Sequence, residues 1–167
     1  MLTVTNCIFR KGTADDVPHV IDLIRQRIEW MDDMGIDQWN NTHYLEHYPS
    51  RYYMDAAEKG QLYVLDGKDN NITASAVLLT ADNRWMLTNA NAFYVHNLVS
   101  AIGEGGSGKV LLQFIEDHAC SQHKQLVRLD CAIDNEKLNQ WYERQGYRYV
   151  GTMVEDEYRG CLREKEL

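Results

Sequence analysis

Apolar residues first recur with a helical period at Val17, Ile21, Ile24, Ile28 and Met31, where gaps of four and three line one helical face. Thr13, with Asp16 three positions later, supplies a capping-box start to that helix, and residues 7–10 before it predict a short strand. Helical sequence resumes over residues 44–59, interrupted at Pro49 and stopped by Gly60. The period then changes. Residues 62–65 and 72–80 read as strands joined by the turn-forming stretch 66–71, which predicts an antiparallel hairpin. Residues 92–99 predict a further strand, and Val110, Leu111, Phe114, Ile115 and Ala119 a further helical stripe. Another strand over 126–131, a helix over 135–145 closed by Gly146, and strands over 147–153 and 158–162 complete the pattern. The predicted order is β-α-α-β-β-β-α-β-α-β-β. With no repeat or linker, this makes residues 1–167 one α/β or α+β domain with a mixed sheet.

Composition narrows what such a domain can do. Its 167 residues are 44% hydrophobic, enough to bury a core without disulfide or metal support. The longest apolar run is four residues, as at Ala76-Val77-Leu78-Leu79, against about 20 for a membrane span. The first residues lack the basic and apolar regions of a secretory signal, which predicts a cytoplasmic location. Cys7, Cys120, Cys131 and Cys161 form no Cys-x-x-Cys pair and read as reduced thiols. Asp plus Glu number 25 against 17 Lys plus Arg, a net charge of −8 with no basic cluster. That balance excludes a phosphate-backbone partner such as nucleic acid, suits cationic small molecules or peptides, and leaves a homodimer open.

Candidate chemistry begins at Gly103-Glu104-Gly105-Gly106-Ser107-Gly108-Lys109, where four glycines in six residues lie between a strand and a helix. Glycines let backbone N–H groups converge on one point, and the helix start adds its partial positive charge, so the segment predicts a phosphate or pyrophosphate cradle. A nucleotide-triphosphate loop would need Ser or Thr after Lys109 to hold magnesium, and Val110 stands there. Coenzyme A needs the same cradle without that hydroxyl. Downstream, Asn135 and Tyr142 are seven residues apart, two helical turns, on one face of the helix that follows strand 126–131.

With Gly106-Ser107-Gly108, Leu111-Leu112, Asn135, Leu138, Tyr142-Glu143 and Gly146-Tyr147 in this order, the chain resembles the GNAT superfamily of N-acetyltransferases. The resemblance covers roughly residues 7–167, and Gly35-Ile36-Asp37-Gln38-Trp39 with Tyr48-Pro49-Ser50 is similar to a bacterial branch of these enzymes. It implies the GNAT fold, a mixed, mostly antiparallel sheet flanked by helices, and direct transfer of an acetyl group from acetyl-CoA to a primary amine of a small molecule or peptide. One departure is Gly103, where the family usually carries Gln or Arg three residues before Gly-x-Gly.

The resemblance further implies that the backbone of Leu98 and Val99 meets the pantetheine arm and that residues Gly103, Glu104, Gly105, Gly106, Ser107, Gly108, Lys109 and Asn135 hold the cosubstrate. Tyr142, a phenol protonated at neutral pH, is the expected donor to the leaving thiolate. His96 is a candidate base, and Glu29 and Asp33 are candidate acceptor-site carboxylates beside Trp39. His43-Tyr44-Leu45-Glu46-His47 matches an inverted zinc-peptidase pattern, but no downstream glutamate is marked out as a third ligand, so no metal is expected. A non-catalytic coenzyme A-binding module is the alternative from another class.

Overall fold

The computed structural model describes residues 7–85, 90–103 and 105–167. Strand β1 (Ile8–Lys11) leads through a single 3-10 turn into helix α1 (Val17–Met34). The backbone N–H of Thr13 donates to the Asp16 carboxylate at 2.7 Å, the capping-box contact that the sequence predicts. Gly35, at φ +64°, ends α1 in the left-handed conformation that favours glycine. The predicted second helix is two: α2 (Tyr44–His47) and α3 (Ser50–Glu58), separated at Pro49, whose ring cannot continue the first. Strands β2 (Leu62–Asp66), β3 (Ile72–Leu79) and β4 (Ala92–Ser100) follow, then helix α4 (Ser107–Ser121), strand β5 (Leu126–Ala132), helix α5 (Glu136–Arg144) and strands β6 (Arg148–Glu155) and β7 (Tyr158–Glu166).

The seven described strands form one sheet in the order β1-β2-β3-β4-β5-β7-β6. Only β4 and β5 pair in parallel; every other neighbour is antiparallel. Helices cover both faces, and strand alternation divides the core accordingly. Tyr63 and Leu65 of β2 pack with Leu111, Leu112 and Ile115 of α4, whereas Leu62 and Val64 pack with Val20, Ile24 and Tyr53 of α1 and α3. No helix among the described residues is long and apolar enough to cross a membrane. Strand β6 is an edge strand, with Tyr149 and Val154 exposed on it.

Strand β7 extends well past the predicted 158–162. Its second half, Arg163-Glu164-Lys165-Glu166, looks solvated in sequence, yet Arg163 and Glu164 are buried. Paired charge makes this affordable. Glu164 accepts from Arg128 at 3.0 Å and Arg148 at 2.6 Å, Lys165 meets Glu116 at 2.7 Å, and Arg163 donates to the Tyr147 carbonyl at 3.0 Å.

Candidate active site

Strands β4 and β5 are paired over four residues only, from Ala92↔Leu126 to Val95↔Leu129. Beyond that point β4 runs on to Ser100 and β5 to Ala132 without a shared ladder, so the sheet opens between them. The pairing of β3 with β4 slips at the same level: Ser75 faces Val99 and Val77 faces His96, leaving Asn97 and Leu98 opposite Ala76 alone. This bulge puts Asn97 at φ +54°, an uncommon conformation for a residue with a side chain. Two tyrosines hold it there. The Tyr52 hydroxyl donates to Asn97 Oδ1 at 2.9 Å, and Asn97 Nδ2 donates to the Tyr44 hydroxyl at 2.6 Å.

Two cavities flank the opening, of about 780 and 640 Å³, and Gln38, Trp39, Leu98, Leu138 and Tyr142 line both. The larger is bounded by Leu98, Val99 and Ser100 of β4, Gly108 of α4 and Asn135 just before α5. Helix α4 follows Gly106, φ +103°, and among the described residues no side chain caps it and none in its first turn is acidic, so its N-terminus suits an anion. A Cβ on Gly108 would stand 3.5 Å from Ser100 Oγ, filling the space between α4 and β4, whereas Gly103 and Gly105 face open space. Ser107 and the exposed Lys109 belong to the same turn; Glu104 lies outside the described residues.

A cation that the sequence reading missed reaches this cavity from α1. Arg27 Nη2 donates to the Ser100 carbonyl at 2.6 Å and to Ser100 Oγ at 3.3 Å, with the guanidinium 4.9 Å from the Trp30 ring centre. It is half-buried, burial lowers its pKa, and among the described residues no carboxylate pairs with it. Its only sequence signal is a place beside the apolar stripe of α1. Asn135 caps α5, accepting from the Leu138 N–H at 3.1 Å, and donates to Gln38 Oε1 at 2.9 Å. Gln38, 8% exposed, thereby ties the loop after α1 to α5 where the two cavities meet. Tyr142 is 5% exposed; burial, reinforced by Cys131 and Asp130, pushes its hydroxyl pKa up. That hydroxyl has no hydrogen-bond partner among the described residues.

The smaller cavity carries the polar side chains. His96 Nε2 lies 2.8 Å from Asp82 Oδ2, both largely buried. Burial alone would raise the Asp82 carboxyl, but the hydrogen bond and charge of His96, with help from Arg84, hold it below the usual range. Arg84 reaches Asp130 at 3.1 Å, Glu155 at 2.8 Å and the Tyr48 hydroxyl at 3.0 Å, and the Tyr158 hydroxyl donates to Asp130 at 2.8 Å. Stacked rings of Trp39 and Tyr44, 4.4 Å apart, form one wall. Of the expected acceptor-site residues, Trp39 and His96 are here. Glu29 and Asp33 are exposed on α1 and line neither cavity, because a spacing of four keeps them together on the helix face turned from the sheet. Asp82 and Arg84 gave no periodic signal, since the β3–β4 connection has none.

No family model matches the chain. It is 30% identical over 146 residues to the uncharacterized N-acetyltransferase YesJ of Bacillus subtilis (strain 168), covering 83% of this chain and 79% of that one. Among solved structures it is similar to a GNAT-family acetyltransferase from Streptococcus agalactiae 2603, with a TM-score of 0.81, 17% identity and coverage of 98% and 96%. A GNAT-family acetyltransferase from Listeria monocytogenes 4b F2365 gives 0.79, 22% identity, and 96% and 95%. The PaiA N-acetyltransferase from Thermoplasma acidophilum, in complex with coenzyme A, gives 0.75, 16%, and 98% and 100%. The opened sheet, the glycine turn at the start of α4 and this kinship agree, and the chain belongs to the GNAT superfamily of N-acetyltransferases.

Proposed function

We propose that the enzyme moves an acetyl group from acetyl-CoA directly to a primary amine, with the donor in the larger cavity and the acceptor in the smaller. The observation that carries this reading is that the two cavities share Leu98 and Tyr142 beside the break in the β4–β5 ladder. The residues of the larger cavity fit the cosubstrate. Gly106, Ser107, Gly108 and Lys109 offer N–H groups and charge to the pyrophosphate, Arg27 supplies the cation that Gly103 does not, and the unpaired edge of Leu98 and Val99 offers strand-like hydrogen bonds to pantetheine.

The thioester supplies an activated acetyl carbon. One proton passes from the bound ammonium to His96, the freed nitrogen bonds to that carbon as the carbon–sulfur bond breaks, Tyr142 donates its proton to the departing sulfur, and the second proton lost by nitrogen restores the phenol. Asp82, 2.8 Å from Nε2, holds the imidazole of His96 in place. Cys131 also lines the acceptor cavity, but burial pushes its thiol up to about 12, which keeps it a thiol and supports direct transfer over an acyl-cysteine route. Four unbonded cysteines suit the reducing cytoplasm.

Calorimetry with acetyl-CoA and thiol release in the presence of amines test the reading together. Gly108→Glu should abolish acetyl-CoA binding in a folded protein, since the side chain would enter the cradle beside Ser100 with the wrong charge. Unchanged affinity would remove the cosubstrate from this cavity.

A further inference from the structure

The acceptor cavity has a charge imbalance that acetyl transfer alone does not require. Asp130, Glu155, Asp156 and Glu157 line it, and Asp82 stands behind His96. The basic side chains among its described lining residues are Arg84 and three histidines. Arg84 is already engaged by Asp130, Glu155 and the Tyr48 hydroxyl, and His43 faces Glu46 at 3.4 Å. One potential ligand atom from each of Asp82, His96 and Asp130 lies within 4.8 Å of the others. The Tyr142 side chain, 5% exposed and with no hydrogen bond to its hydroxyl among the described residues, lines the same cavity. A positive group entering here meets acceptor atoms; a negative one meets like charge. The stacked Trp39 and Tyr44 rings, with Tyr48 centred 5.0 Å from Tyr44, add faces that attract cations.

Building on the acetyl-transfer reading, we infer that the acceptor is a cationic primary amine bearing no carboxylate, its ammonium bound between Asp130 and the His96–Asp82 pair. An α-amino acid would carry its carboxylate to within two bonds of that nitrogen and set it against Asp130. Selectivity then comes from repulsion of the acid as much as from attraction of the amine. The chemistry separates compounds that differ by this one group: agmatine from arginine, cadaverine from lysine, phenethylamine from phenylalanine.

The test is kcat/KM for each pair at saturating acetyl-CoA, with acetyl-CoA binding measured by calorimetry on the same preparation. The carboxylate-free member should be favoured by about 10²-fold or more, the scale of a like-charge clash in a desolvated site. Asp130→Asn should narrow that ratio while acetyl-CoA affinity holds; Glu155→Gln, at a half-exposed residue, should narrow it too and covers the case in which the Asp130 variant fails to fold. A ratio near one, or one favouring the amino acids, in protein that binds and turns over acetyl-CoA overturns this inference and leaves acetyl transfer standing. Absence of acetyl-CoA binding takes both down. Zinc titration supplies the remaining outcome: tight one-to-one binding that is lost in Asp82→Asn would give the cluster to a metal and overturn the ammonium assignment.

Discussion

Tyr142 is the residue on which the two cavities converge, and its hydroxyl is kept protonated by burial. In its proposed role as donor to sulfur, Tyr142→Phe should lower kcat by roughly 10²-fold while acetyl-CoA affinity stays within about twofold, read by steady-state kinetics and calorimetry. The Asp82–His96 pair makes a different prediction. Asp82 holds the imidazole at 2.8 Å, so Asp82→Asn should lower kcat by roughly tenfold or more while acetyl-CoA affinity holds, read by steady-state kinetics and calorimetry with the melting curve as a control for lost stability. Away from the site, Asp16 binds Arg10 at 2.7 Å, and the Arg10 hydrogen bond lowers the Asp16 carboxyl from 3.8 to about 2. Its folded value is depressed, so its contribution to stability is fully present above pH 4 and is lost as pH falls through about 2. Asp16→Asn should flatten that part of the acid-unfolding curve.

At the scale of elements, α1 both packs against the sheet and delivers Arg27 to the larger cavity. Arg27→Gln should weaken acetyl-CoA binding by about tenfold or more, the worth of charge-assisted hydrogen bonds, with the melting curve as a control for the lost bond to Ser100. What could be read in the chain beforehand follows from how each element shows itself. The α1 stripe, the hairpin around Gly67 and the glycine turn before α4 announce themselves locally through period and turn chemistry. Arg163 and Glu164 do not, because their burial depends on Arg128, Arg148 and Tyr147, partners from distant segments that no local window contains. For the same reason Tyr142, Asn135 and Gly108 were legible as a spaced motif, whereas Asp82, Arg84, Gln38 and Arg27 became visible only when folding brought their partners together. The expected carboxylates on α1 illustrate the converse: charge close in sequence to Trp39 faces solvent, and the acidity of the cavity comes from β5 and the β6–β7 turn.

Across the whole molecule, the net charge of −8 would add a long-range pull on the proposed cationic acceptor. Shortening the Debye length from about 30 to about 8 Å should therefore raise KM for such an amine while kcat changes little, measurable across a salt series. The strand order has a consequence in time rather than in space. Strand β5, which carries Asp130 and Cys131 into the smaller cavity, holds β4 through four residues and β7 through seven, from Leu126↔Glu166 to Ala132↔Gly160. Its stronger neighbour is also the later one made. On a ribosome adding about 5–20 residues per second, the glycine turn at Gly108 emerges several seconds before β7 can clamp β5 in place. A nascent chain halted at residue 157 should thus lack the fixed wall of that cavity, which sets only once β7 has followed β5 out of the ribosome.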